Sequence, residues 1–416
     1  MKTLKNLLAI TIALTMVGTV SAQTHIYVTG STAFRSSAVG AINTLVGKTP
    51  DAWDGNSSGV TTSTNANAQI WNTATYIVKA SWSGSTGGIQ TVAGAPNFNV
   101  RFLANIGTNG VVAGSNNSDP RGSSSTNAEA HVPDMNFADT FQGGTPFNGK
   151  VNGVTYANET DNSIGIVTFR WTASENFPGT NMTPQLAQYL YTNVGVAPLS
   201  LWTGNSVDAA KVVYAGGRDP DSGTRATTYA ESGIGIFTGV QQWQPINISS
   251  GVIGDIQLYP PETVNGISLP QGQGGESSGS SLRAFLTNTL SATAAGEYNG
   301  ATTAYLMAYL GVSDSNGVIS GQVAPNGNAV GLTWNGVAFS QTAVEQGQYT
   351  FWGYEHLDYV GNLDGNSGTG GKLAFATNLK NGVAGSSSAT LNPNVALGDM
   401  QVQRFSDGGN VQPIGF

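Results

Sequence analysis

An α/β fold is what this sequence predicts, on three observations. Strand-like and helix-like stretches alternate along the chain. Three of the strand-to-helix junctions are crowded with Gly, Ser and Thr. The length of 416 residues is ample for two domain-sized cores.

The first 22 residues are set apart from that fold. Lys2 and Lys5 give a positive start, Leu7 to Val17 is an apolar run, and Val20-Ser21-Ala22 offers small residues at a cleavage point. The run is too short to cross a bilayer and reads as a secretory signal peptide. No cysteine follows it, so no lipid anchor is expected, and the mature chain is expected to be periplasmic or secreted.

Thr24 to Thr29 then reads as a strand that exits through Gly30-Ser31-Thr32. Phe34, Ala38, Ala41, Ile42 and Leu45 recur at helical spacing behind it. Thr75 to Trp82 is again strand-like, and Gly84-Ser85-Thr86-Gly87-Gly88 leads into a second helical segment. Ala210 to Ala215 forms a third strand, entering Arg218-Asp219-Pro220-Asp221-Ser222-Gly223-Thr224 and a helix to about Glu231. Three polar stretches, Asp54 to Ala68, Gly107 to Ala130 and Leu363 to Gly371, read as long surface loops or insertions. No repeat of fixed period argues for a solenoid or propeller.

Composition narrows the function. Without cysteine there are no disulfides, thiolate nucleophiles or Cys-ligated metals. Gly and Pro together make 72 residues of 416, about 17%, below the roughly 25–30% of low-complexity disorder. The formal charge of −8 becomes about −10 once Lys2 and Lys5 leave with the signal. That balance disfavours nucleic acid, which needs a basic footprint. A small buried anion is still allowed, because nearby donors govern it more than the net charge does.

The junctions point to such an anion. A helix start exposes unpaired N–H groups and the positive end of its dipole. Small residues let the backbone approach closely, and Ser and Thr add hydroxyl donors. Each junction alone is also an ordinary helix cap; three together, one beside Arg218, favour an oxyanion site. Catalytic patterns are missing. His25, His131 and His356 lie far apart without metalloprotease spacing. Ser222-Gly223-Thr224 is no nucleophile elbow, and no phosphate-loop motif ends in Lys-Ser/Thr. A phosphoester hydrolase and a Gly/Asn/Ser-rich surface protein are the competing readings.

In their order these segments resemble the phosphate-binding component of bacterial phosphate ABC importers, within the periplasmic binding protein-like superfamily. Thr29-Gly30-Ser31-Thr32-Ala33-Phe34 is similar to the family's opening loop, and Gly84 to Gly88 to its Gly-Ser-Ser-Gly-Gly loop. Asp134-Met135-Asn136-Phe137-Ala138-Asp139 resembles its Asp-x-x-x-x-Asp stretch, and Arg218 to Thr224 its Arg-x-x-x-Ser-Gly-Thr loop. Ala301 to Leu310 and Gly347 to Val360 resemble its later segments.

The resemblance implies a two-lobed, type II periplasmic binding protein-like fold. Two mixed sheets flanked by helices would be joined by two crossovers and carry polar loop insertions. Lobe one would be residues 23–163 with 348–416, and lobe two residues 164–347. The ligand set it implies is Thr32, Ala33, Phe34, Ser85, Asp139, Arg218, Ser222, Gly223 and Thr224. Arg218 would pair with the anion, and Asp139 would accept a proton that phosphate keeps and sulfate lacks. It further implies inorganic phosphate or a similar oxyanion as ligand, a membrane permease as partner, and a monomer. No catalytic residue, metal or cofactor is expected.

The chain departs from the pattern at four places. Arg35 stands where the family often has proline and would add a cation to the first loop. The stretch from Gly88 to Asp139 is unusually long. Pro220 replaces an acidic position, leaving Asp219 or Asp221 to orient Arg218. Arg225, just after the loop, would be a second cation or a solvated helix residue, the latter being favoured.

Overall fold

The computed structural model describes residues 23–55, 63–104, 110–113, 122–123, 125, 127–264, 267–319 and 328–415. The segment expected to be a signal peptide and much of the first two polar stretches lie outside them. Leu363 to Gly371 is described, as turns and bends.

Twelve strands form one continuous mixed sheet. In chain order they are β1 (Thr24–Gly30), β2 (Ala52–Gly55), β3 (Ala68–Asn72), β4 (Tyr76–Ser81), β5 (Gly110–Ala113) and β6 (Met135–Ala138). Then come β7 (Ser163–Ala173), β8 (Val196–Pro198), β9 (Val212–Ala215), β10 (Ala304–Gly311), β11 (Val330–Gly331) and β12 (Trp352–Asp358). Across the sheet they run β8-β9-β10-β7-β12-β6-β1-β4-β3-β2-β5, with β11 beside β7. The helices that matter below are α1 (Arg35–Val46), α2 (Ser85–Ala93), α3 (Gly223–Glu231) and α4 (Lys372–Ala384).

β7 is eleven residues long and serves both halves of the sheet. Its first part, Ser163 to Thr168, pairs antiparallel with β12, and its last part, Phe169 to Ala173, with β10. β12 returns the chain and pairs antiparallel with β6 through His356–Asp358. The chain thus crosses twice between its halves. The two expected sheets run into one another, because the crossing strands satisfy their own backbone groups on both neighbours.

Strand direction gathers the three loops of the first half. β1 is parallel to β4 on one side and to β6 on the other, with Gly30 opposite Phe137 and Thr29 opposite Ser81. All three end at one edge, so the loops after them converge there, where ligands of open α/β sheets are held. β9 is likewise parallel to β10, with Ala215 opposite Met307, and delivers the Arg218 loop from the second half.

Burial fixes the arrangement. β12 is buried along its whole length, as the continuous apolar or shielded character of a central strand requires. Where β7 crosses, the fully buried Trp171 ring lies 5.7 Å from Tyr191 and Tyr309 and 5.8 Å from Phe351, a cluster that pins the two halves. Tyr214, Trp243, Phe285 and Leu306 build a further core on the second half. No helix among the described residues is long and apolar enough to cross a membrane.

Candidate anion-binding site

Asp139 follows β6 directly, at the edge where the parallel strands end. It is 1% exposed. Ser85, the first residue of α2, donates its hydroxyl to Asp139 Oδ1 and accepts the Asp139 N–H at 3.2 Å. Thr224 of α3, in the other half, donates to Oδ2 at 2.9 Å. Thr227, one turn on, donates to the Asp139 carbonyl at 2.6 Å. One carboxylate is therefore held by two helix starts from opposite halves. Between them stands Gly223, where a Cβ would come within 1.8 Å of Asp139 Oδ1; no side chain fits.

Burial raises the Asp139 pKa, while the Ser85 and Thr224 bonds and the Arg218 charge pull it back. The N–H groups of Thr32, Ala33, Ser85, Gly223 and Thr224 find no hydrogen-bond partner among the described residues. Unpaired N–H groups at a helix start favour negative charge.

Arg218 is 2% exposed, and carbonyl oxygens steer it. Its Nε donates to Glu276 O at 2.9 Å and its Nη2 to Ser277 O at 3.0 Å. Nη2 also donates to Thr32 Oγ1 at 3.1 Å, so the guanidinium reaches across to the first loop. Backbone carbonyls thus share the orienting work that the sequence assigned to Asp219 or Asp221, and the Arg218 charge acts on Asp219 to lower its pKa. Asp219 Oδ1 has no hydrogen-bond partner among the described residues, and the Asp221 carbonyl accepts from Thr86 N–H at 2.9 Å and Gly87 N–H at 3.2 Å.

The loop is braced from behind. Tyr309 accepts the Arg218 N–H at 3.1 Å, and Gln242 Nε2 donates to the Arg218 carbonyl at 3.1 Å. Gln242 Oε1 in turn accepts from Tyr309 at 3.1 Å and Tyr229 at 3.0 Å. Arg225 corrects the sequence expectation. It is not solvated but 8% exposed, donating to the carbonyls of Arg218 at 2.9 Å and Gln273 at 2.7 Å and lying over the Tyr229 ring. A guanidinium without solvent must find acceptors, and here it takes those of the loop it supports.

Of the nine predicted residues, the structure brings Ser85, Asp139, Gly223 and Thr224 into one cluster and ties Thr32 to Arg218. Ser222 caps α3 by accepting the Arg225 N–H at 3.2 Å. Phe34 differs from its expected part as an N–H donor: its N–H goes to Ser31 Oγ at 3.2 Å, and its buried ring stacks on Phe137. Ala33 lies beside Gly311 of the second half. Arg35 turns to Asn67 Oδ1 at 2.9 Å, with burial lowering its pKa to about 10. Asp134, the other acid of its motif, accepts the Tyr27 N–H at 2.9 Å and the Lys372 ammonium at 2.6 Å, anchoring α4.

Sequence reasoning missed Glu355. It is fully buried in β12, neither carboxylate oxygen makes a hydrogen bond of good geometry, and burial followed by the Asp139 charge raises its pKa well above the usual range against the pull of the Ser31 hydroxyl. A lone acid in an aromatic strand gave no motif to read. Among the described residues no group of His, Cys, Asp and Glu could hold a metal ion.

No family model matches the chain, and no curated protein matches it. Solved structures with a similar course do exist. A putative phosphate ABC transporter substrate-binding protein with bound phosphate from Clostridium perfringens is 9% identical, at a TM-score of 0.42, covering 90% of this chain and 100% of that one. An ABC-type phosphate transport receptor from Vibrio cholerae is 10% identical, at a TM-score of 0.40, covering 88% and 96%. PstS from Borrelia burgdorferi is 9% identical, at a TM-score of 0.37, covering 90% and 99%.

Proposed function

We propose that this chain is an exported solute-binding protein that captures inorganic phosphate, or a closely related oxyanion, between its two halves and delivers it to a membrane permease. Thr32, Ala33, Ser85, Gly223 and Thr224 would give N–H groups or hydroxyls, and Arg218 the fixed positive charge. The observation that carries the reading is Asp139, a buried carboxylate where two helix starts meet. A carboxylate opposes an anion unless the anion brings a proton to share, and phosphate near neutrality does. Ligand contacts from both halves would make closure of the halves part of binding.

Calorimetry with phosphate, sulfate and molybdate tests this, alongside thermal melting. At a hundredfold excess over Kd, phosphate should stabilise the chain by about 2.7 kcal/mol. Arg218→Ala should weaken phosphate by roughly 100-fold, since a buried charge-assisted pair is lost. Full phosphate affinity in that variant would sink the site. Turnover of generic phosphate esters would favour a hydrolase instead.

A further inference from the structure

Resting on the phosphate reading above, we propose that Glu355 is a second carboxyl of the anion site, coupled to Asp139, so that the bound phosphate and the two carboxyls together hold two protons.

The placement comes first. Alternate residues of a strand share a face, so Glu355 lies on the same side of β12 as Gly353. A Cβ on Gly353 would sit 3.0 Å from Thr227 and 3.1 Å from the Asp139 carbonyl. Directly opposite residues of an antiparallel pair also share a face. The partner of Glu355 is Gly165 of β7, and a Cβ there would lie 3.7 Å from the Phe34 ring. Glu355 is thus flanked by the first loop on one side and by Asp139 with α3 on the other. The Ser31 hydroxyl, beside Thr32, is the polar group that faces it and lowers its pKa.

The chemistry follows from what surrounds it. Glu355 is 0% exposed, with the Ser31 hydroxyl its one polar neighbour and no hydrogen bond of good geometry to either oxygen, a costly state for an ionised carboxylate. The charged groups that act on it are Asp139 at the end of β6 and Asp358 on its own strand, and both disfavour its ionisation. A dibasic phosphate arriving beside two ionised carboxylates would put like charges together in a buried place. One further proton relieves this, whether it rests on Glu355 or on the phosphate, because neutral Glu355 with dibasic phosphate and ionised Glu355 with monobasic phosphate contain the same protons. Like-charged acids that share a site titrate as a unit.

The consequence is a proton linkage. Above the second ionisation of phosphate and the free-state ionisation of Glu355, free protein and ligand together carry one proton fewer than the complex. Binding must then take up a proton, and affinity falls about tenfold per pH unit. At lower pH the proton is already present and affinity levels off. With Asp139 alone one shared proton suffices, and the alkaline limb is flat.

The test is calorimetric titration of the full mature chain with inorganic phosphate from about pH 6 to about pH 10, in buffers of different ionisation heat. Wild type should take up close to one proton in the alkaline limb, and Glu355→Gln should bind phosphate with that uptake and slope abolished. An alkaline limb without proton uptake in the wild type overturns the inference, as does a Glu355→Gln slope equal to that of wild type. The wild-type measurement stands even where the variant does not fold. Phosphate that fails to bind the wild type at any pH overturns the functional reading itself, whereas flat binding overturns only the role of Glu355.

Discussion

The two helix starts that meet at Asp139 are built from nearly the same residues and use them differently. α2 begins Gly84-Ser85-Thr86-Gly87, without a side-chain cap, and gives its Thr86 and Gly87 N–H groups to the Asp221 carbonyl of the opposite half. α3 begins Ser222-Gly223-Thr224. It caps itself through Ser222 and leaves the Gly223 and Thr224 N–H groups without partners among the described residues. The α2 start spends two of its N–H groups on a seam between halves and leaves only that of Ser85 without a partner among the described residues, whereas on the proposed reading the α3 start is a donor surface. The lesson is that Gly, Ser and Thr at a junction announce close backbone approach, while the approaching partner decides whether it is protein or ligand.

The sharpest way to break this contrast is to add one methyl to each start. Gly223→Ala places a Cβ 1.8 Å from Asp139 Oδ1, so the carboxylate must leave both its hydroxyl donors. Two buried charge-assisted bonds are disturbed at about 1.5–3 kcal/mol each, and phosphate affinity should fall at least roughly 100-fold, as read by calorimetry. Gly84→Ala meets the Asp221 carbonyl at 2.3 Å, at a φ of +88° that suits glycine. Its effect should appear mainly as a lower melting temperature of the ligand-free chain, from a strained seam costing about 1–3 kcal/mol. If Gly223→Ala binds phosphate normally, the donor-surface assignment of α3 fails.

The same contrast shows what the sequence could and could not disclose. β1, α1, β4, α2 and α3 were legible because apolar periodicity and Gly-Ser-Thr junctions are local signals. Asp139 was reachable only through the resemblance of Asp134 to Asp139 to the Asp-x-x-x-x-Asp stretch of phosphate-binding components. The uses of Arg225 and Glu355 were not, because each depends on partners far along the chain. Arg225 read as solvated since a lone arginine on a polar helix usually is; its acceptors, the carbonyls of Arg218 and Gln273, belong to loops that only folding brings together. The orientation of Arg218 was missed for a related reason. A backbone carbonyl has no sequence signature, so Glu276 O and Ser277 O could not compete on paper with two nearby aspartates.

Asp139→Asn sharpens the contrast at its shared point. The amide keeps the shape but gains N–H donors and loses the charge, so it can serve an anion that brings no proton. The preference for phosphate over sulfate should fall by about tenfold or more, one buried hydrogen bond to a charged group being about 1.5–3 kcal/mol. Paired calorimetric titrations with both anions measure it. An unchanged ratio would show that selectivity lies elsewhere in the site.

The smallest expected effect distinguishes the two starts by charge rather than by shape. The loop into α3 carries Asp219, whose pKa burial, with the neighbouring Asp221 charge, pushes up to about 7 from 3.8. The stretch Gly84-Ser85-Thr86-Gly87 carries no acid. A carboxyl whose folded-state pKa is raised stabilises the fold below its unfolded pKa, and that contribution is lost as pH rises through the folded value. The ligand-free chain should therefore lose stability through Asp219 between about pH 4 and about pH 7. Asp219→Asn cannot ionise and keeps the backbone bonds from Asp219 N–H to Glu276 O and from Ser222 N–H to Asp219 O. Its melting temperature should fall less than that of wild type across that window, by a few degrees in a chain of this size. A wild-type slope in the variant would mean that Asp221 or another acid carries the linkage, and that the charge at the start of α3 is stabilised in another way.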